Sequence, residues 1–156
     1  MSNNYKITFL GVGSSYSLAS LKQGASGILL QINDKYLVLD PGPGTLLKLN
    51  SLNIKPENIS AVLVSHSHLN HCNDANIILN TLTKGATLKR GTLISSESFV
   101  LGHSSEYPYL TNFNKNALEK IHILNPGDII KQDEFMIKAL KTKHNFCSYN
   151  CKYEYD

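Results

Sequence analysis

Short apolar runs alternate along the chain with polar, Gly- and Pro-rich breaks, and their spacing lays out the elements. Tyr5-Lys6-Ile7-Thr8-Phe9-Leu10 alternates apolar with polar and runs into Gly11-Val12-Gly13, which predicts a first strand ending in a flexible loop. Ser26 to Ile32 predicts a second strand and Tyr36 to Asp40 a third, with Asn33-Asp34-Lys35 as the hairpin turn between them. Asp40-Pro41-Gly42-Pro43-Gly44 stops the third strand. Thr45 to Leu52 reads as a short helix with Leu46, Leu47 and Leu49 on or near its buried face. Lys55-Pro56-Glu57-Asn58 then leads into Ala61-Val62-Leu63-Val64, a β-branched and aliphatic run that predicts a buried strand.

Beyond Ser65 the pattern changes period. Asn73 or Asp74 can cap a helix from about Asp74 to Leu82, which closes at Lys84-Gly85. Thr92-Leu93-Ile94-Ser95 predicts a strand, with Lys89-Arg90 before it as a solvated edge. Glu97 to Leu118 is irregular. It holds His103, Tyr107, Tyr109 and Phe113 and predicts a long excursion with one short helix, the aromatics packing the loop down. Lys120 to Leu124 predicts a strand with His122 in a structural place, and Asn125-Pro126-Gly127-Asp128 a turn. Phe135 to Lys141 predicts a further strand that leads through Thr142-Lys143 to His144.

The chemistry concentrates between the strand at 61–64 and the helix that follows. His66, His68 and His71 are half of the chain's six histidines and share one loop. Imidazole is the commonest metal ligand. Two residues apart in an extended loop, His66 and His68 point the same way, and His71 lies beyond a turn where it can address a neighbouring position. The spacing suits one metal ion or an adjacent pair. A polar surface loop that happens to carry histidines is the simpler alternative, and three behind an apolar strand weigh against it. Asp40, at the end of a buried strand, either accepts backbone hydrogen bonds in its turn or sits beneath the histidine loop and orients one of its rings.

Composition sets outer limits. With 156 residues, 42% of them hydrophobic and 17% charged, the chain reads as one domain over 1–156. A net charge of +3 neither demands nor excludes a nucleic-acid partner. No apolar run approaches the ~20 residues of a membrane helix, and the polar start Met1-Ser2-Asn3-Asn4 lacks a signal-peptide core, so a cytoplasmic protein with no membrane partner is expected. The three cysteines, Cys72, Cys147 and Cys151, are an odd set that argues against a disulfide framework. Gly11-Val12-Gly13 lacks the third glycine of a dinucleotide fingerprint.

His66-Ser67-His68-Leu69-Asn70-His71 resembles the His-x-His-x-Asp-His signature of the metallo-β-lactamase superfamily, with Asn70 at the place of the signature Asp. The order strand, strand, strand, helix, strand, histidine loop, helix is similar to the first half of that family's α/β fold, a four-layered αββα sandwich. The resemblance implies a single partial domain, truncated before its C-terminal portion. It implies a zinc site from His66, His68 and His144, and a second site of which Asn70 and His71 are the counterparts, with Asp40 orienting a histidine rather than binding metal. Mn²⁺ and Fe²⁺ are the alternatives to zinc. The stretches Phe9 to Gly13 and Asp40 to Gly44, with the histidine loop, look most similar to the ribonuclease Z-like branch. That implies a phosphodiesterase acting through a zinc-bound hydroxide on a small-molecule or nucleic-acid phosphodiester. Asn70 opens an alternative, because an amide is a weaker ligand than a carboxylate and takes no proton: a catalytically impaired or inactive truncated relative binding at most one metal. A hybrid site using Cys72, Cys147 or Cys151, a homodimer through an exposed sheet edge, and a second chain completing the domain are the remaining expectations.

Overall fold

The computed structural model describes residues 4–13, 22–102 and 107–141. Six strands form one sheet in chain order: β1 (Tyr5–Phe9), β2 (Ile28–Ile32), β3 (Lys35–Leu39), β4 (Ile59–Val64), β5 (Thr92–Ser95) and β6 (Lys120–Ile123). The first three are antiparallel neighbours, and β3 to β6 run parallel. Asn33 adopts a positive φ in the β2–β3 turn, a conformation Asn tolerates better than most residues. Parallel strands are covered on both faces, which is why β4 and β5 read as near-continuous apolar runs rather than as alternations.

One face of the sheet packs against helices α1 (Thr45–Ser51), α2 (Leu69–Cys72), α3 (Ala75–Leu82), α4 (Glu97–Leu101) and α5 (Asn112–Ala117). Leu29, Val38, Val62, Val64 and Leu93 from the strands meet Leu49, Ile78, Leu79, Leu82 and Phe99 in one core. Phe99 is fully buried there, so cutting it to alanine would cost about 3–5 kcal/mol. In α1 the buried positions are Thr45 and Leu49, whereas Leu47 is 73% exposed and is no part of the packed face. The opposite face of the sheet meets a hairpin of β7 (Ile129–Gln132) and β8 (Phe135–Lys138), where Leu37, Ala61 and Ile94 pack with Phe135, Ile130 and Ile137. The pattern did not single out β7, which is four residues long with no buried position.

On β1 the apolar side chains Tyr5, Ile7 and Phe9 lie outward, each about two-thirds exposed (66%, 65% and 68%). They continue the face of their partners Ile32, Leu30 and Ile28, beyond the part of the sheet that the hairpin covers among the described residues.

The stretch 97–118 forms two helices rather than one, and Asn76 on α3 holds it down. Asn76 donates to the Tyr109 carbonyl (2.8 Å) and accepts from Thr111 N (3.1 Å), and Asn114 donates back to it. Tyr109 packs against the core, but Tyr107 (90%) and Phe113 (55%) stay in solvent, so only one of the three aromatics does the packing expected of them. His103 lies outside the described residues. Among the described residues no helix is long and apolar enough to cross a membrane.

Candidate metal centre

The histidine loop leaves the C-terminal end of β4, the end of a parallel sheet at which α/β proteins place their sites. It is not extended throughout. The His68 carbonyl accepts from His71 N (2.8 Å) and Cys72 N (3.1 Å), and this closes the one-turn helix α2. Folding back at that point brings His71 beside His66. The ring centroids of His66 and His68 are 4.5 Å apart, edge to face, and those of His66 and His71 are also 4.5 Å apart. The Nε2 atoms of His66 and His68 are buried.

Two neighbouring segments fix the loop from below. Asp40, at the end of β3, donates its N–H to the Leu63 carbonyl (2.8 Å), which ties the two strand ends together. Its carboxylate accepts from Ser65 N (2.7 Å, Oδ1) and Ser65 Oγ (2.8 Å, Oδ2), and Oδ2 lies 3.1 Å from His71 Nδ1. Ser65 Oγ is also 2.9 Å from His66 Nδ1. Ser26, just before β2, reaches the Asn70 carbonyl (2.6 Å), the Asp40 carbonyl (3.1 Å) and His71 Nδ1 (3.2 Å). Its N–H also donates to the Asn70 carbonyl, at 3.3 Å. Gly42 completes the fit, because a Cβ there would collide with that same carbonyl. Asp74 stands at the start of α3, but its side chain makes no bond to that helix's first turn. Its Oδ2 accepts from Leu46 N (3.1 Å), an orphan donor in the first turn of α1, whose own cap residue Gly44 has no side chain to offer.

Cys72 does not join the histidines. It belongs to the helix-side core, is 2% exposed and donates its S–H to the Ser67 carbonyl (3.3 Å). Burial first, and the charge of Asp40 second, push its thiol from 9.0 up to about 12, which opposes the thiolate a metal ligand requires. His122 sits within β6, paired with Ile94. His144, Cys147 and Cys151 lie outside the described residues. Among the described residues no group of three or more His, Cys, Asp or Glu side chains is arranged to hold a metal ion by itself. The donors present do suit a divalent ion of zinc's kind. They are clustered imidazoles, two with buried Nε2 atoms, with oxygen partners on Nδ1 of His66 and His71.

Sequence reading passed over Ser26, Ser65 and Gly42 as site residues. Ser26 and Gly42 act on the Asn70 carbonyl across 44 and 28 positions in sequence; Ser26 falls in no motif, and Gly42 lies in the Asp40–Gly44 stretch without any sign of which carbonyl it meets. Only the placing of Ser65 directly before His66 could have drawn attention to it.

The architecture is that of the metallo-β-lactamase fold. The metallo-β-lactamase fold protein YhfI from Bacillus subtilis superposes with a TM-score of 0.67 at 22% identity, over 90% of this chain and 54% of that one. The chain belongs to the family described as Anti-Pycsar protein Apyc1, whose model matches residues 5–151. Among individual relatives, the Methanocaldococcus jannaschii protein named "Uncharacterized protein MJ1374" is 36% identical over 141 residues, which are 89% of this chain and 53% of that protein. A protein named ribonuclease Z from Methanosarcina mazei is 26% identical over 148 residues, 90% of this chain and 45% of its own length. The chain thus spans about half the length of the curated relatives it matches. Fold and relatives together place it in the metallo-β-lactamase superfamily.

Proposed function

We propose that this chain carries part of the catalytic centre of a metal-dependent phosphodiester hydrolase, similar in chemistry to ribonuclease Z. The observation that supports this most directly is the cluster of His66, His68 and His71 at the strand ends, with Asp40 fixed beneath it. In this reading His66, His68 and His144 hold one zinc ion, and His71 with Asn70 faces a second position. A divalent ion there supplies Lewis acidity and a water acidified toward neutral pH. The chain's own contribution is orientation. Asp40 and the serines beside it hold the imidazoles, and an apolar hollow of about 270 Å³ opens next to Ser65 between β4, β5 and β8. That hollow gives the organic group of an ester a dry wall beside the reacting phosphate, with Lys138 at its rim.

The test is metal content after dialysis against zinc and then buffer, followed by hydrolysis of bis(p-nitrophenyl) phosphate. Retention of zinc that is lost in His66→Ala and His144→Ala supports the reading, and a chain that keeps no zinc overturns it. Asn70 favours a second reading, a relative that holds one ion and turns over poorly. There, Asn70→Asp is expected to raise both zinc content and hydrolysis.

A further inference from the structure

We infer that residues 147–155 form a further strand, which adds to the open edge of β8 and lays its apolar side over the sheet face that Ile7, Phe9 and Leu30 leave uncovered. This segment lies outside the described residues, and its sequence alternates without a break. Cys147, Tyr149, Cys151, Tyr153 and Tyr155 are separated by Ser148, Asn150, Lys152 and Glu154. That is the pattern of a strand with one face buried and the other in water. A seat of matching character exists. Ile7 and Phe9 on β1 are 65% and 68% exposed and share a face with Leu30 of β2. Among the described residues, the β7–β8 hairpin covers only the neighbouring part of that face, over Leu37, Ala61 and Ile94.

The hairpin ends where such a strand has to begin. β8 starts beside the β2–β3 turn, where Glu134 accepts from Asn33 Nδ2 (3.1 Å) and Phe135 packs with Ile32 and Leu37. It runs to the histidine end of the sheet, where Lys138, Ala139 and Leu140 stand beside Leu63 and Ser65. A chain that turns back from there runs antiparallel to β8. The main-chain groups to receive it are in place. Ala139 N donates to the Asp128 carbonyl (2.9 Å), so by the alternation of an antiparallel pair Phe135 and Ile137 also direct their main-chain groups toward β7. Met136 and Lys138 direct theirs to the other edge, which no strand pairs among the described residues. The nine residues 147–155 at about 3.3 Å each reach roughly 30 Å, more than enough to pass the five residues of β1. A second copy of the chain on the same face would cover Ile7 and Phe9, but it would leave the edge of β8 open and the alternation at 147–155 without a use.

Alkylation of the full chain tests the contact. The background is Cys147→Ser with Cys151→Ser, and one cysteine is returned at each position from 147 to 154 in turn. Peptide mass spectrometry reads the rates, and the buried Cys72 in the same samples reports that the core is intact. Cysteines at odd positions are expected to react about tenfold more slowly than those at even positions. Phe9→Lys, at a side chain already two-thirds exposed, is expected to abolish the difference while Cys72 stays protected. Ile7→Lys is the second variant, should Phe9→Lys expose Cys72. Equal rates at odd and even positions would overturn the inference. So would an alternation that both lysine variants leave untouched, since the strand would then lie elsewhere, and an alternation that fades on dilution, which would give the face to a second copy. Protection at positions 149 and 153 cannot come from a thiol bound to metal, because the natural residues there are tyrosines. Absence of zinc binding with the alternation intact would remove the proposed function and leave this inference standing.

Discussion

The two ends of the parallel strands carry hollows of nearly equal size and opposite character. At the C-terminal end, beside Ser65, the walls of the 270 Å³ hollow are Leu63, Ile94, Leu124 and Ile137. At the N-terminal end a hollow of about 260 Å³ is lined by Lys35, Glu57, Arg90, Glu119, Lys120 and Asp133. The histidine end is held by main-chain carbonyls and one carboxylate, so its geometry is set before any ligand arrives. At the other end the charged groups of both signs stand mostly in solvent, and Arg90 donates to the Glu57 carbonyl at 2.9 Å. Salt and solvation weaken such exposed charges, whereas the contacts that Ser26 and His71 make under the histidine loop are partly buried. A charged hollow is therefore not, by its charge alone, an organised site.

Four measurements would break or sharpen this contrast. The largest effect is expected at Cys72. In a chain with Cys147 and Cys151 replaced by serine, alkylation at mildly alkaline pH should be roughly a thousandfold slower in the folded than in the unfolded chain, because burial pushes the thiol from 9.0 up to about 12. Mass spectrometry of timed samples would read it, and comparable rates would mean that the packing beneath the loop opens freely. Because the folded state favours the neutral thiol, its stabilising contribution is fully present below pH 9.0 and is lost as the pH rises from there toward about 12.

Next is Gly42→Ala, which drives a methyl group into the Asn70 carbonyl and should cost about 2–3 kcal/mol in urea unfolding. A neutral result would show that the turn and the loop can move apart. Asp40→Asn keeps the size and the tolerance for the positive φ of 48° at this position, but places an amide donor among donors, and is expected to cost about 1–2 kcal/mol. Last, Arg90→Ala at the opposite end should change stability by no more than about 0.5 kcal/mol. A loss as large as that of Asp40→Asn would erase the difference drawn between the two ends.

Much of the fold was legible because the signals were local. The apolar run at 61–64 marked the central strand, and the histidine pattern behind it resembled the signature of the superfamily whose fold the chain adopts. Asp74 was placed at a helix start by its residue type, and it does stand there, yet its carboxylate serves a different helix 28 positions earlier. Leu47 was misassigned because a seven-residue helix gives too few turns for the period to fix which of three neighbouring leucines lies inward. The clustering of the three rings depended on the one-turn helix at Leu69–Cys72, too short to leave a periodic trace. Ser26 and Gly42 were invisible for a plainer reason. Each acts through contacts that exist only once β2, β3 and the loop have come together.

One of those contacts bears on how this family can change. Residue 70 is held by its main-chain carbonyl, which two donors of Ser26 grip, and neither contact uses its side chain, an amide where the signature has an acid. Asn and Asp are nearly the same size. A single base change at that codon can therefore exchange one for the other, and with it the charge offered beside His71, while the contacts that carry the loop stay as they are. The scaffold leaves position 70 open to drift and to reversion alike.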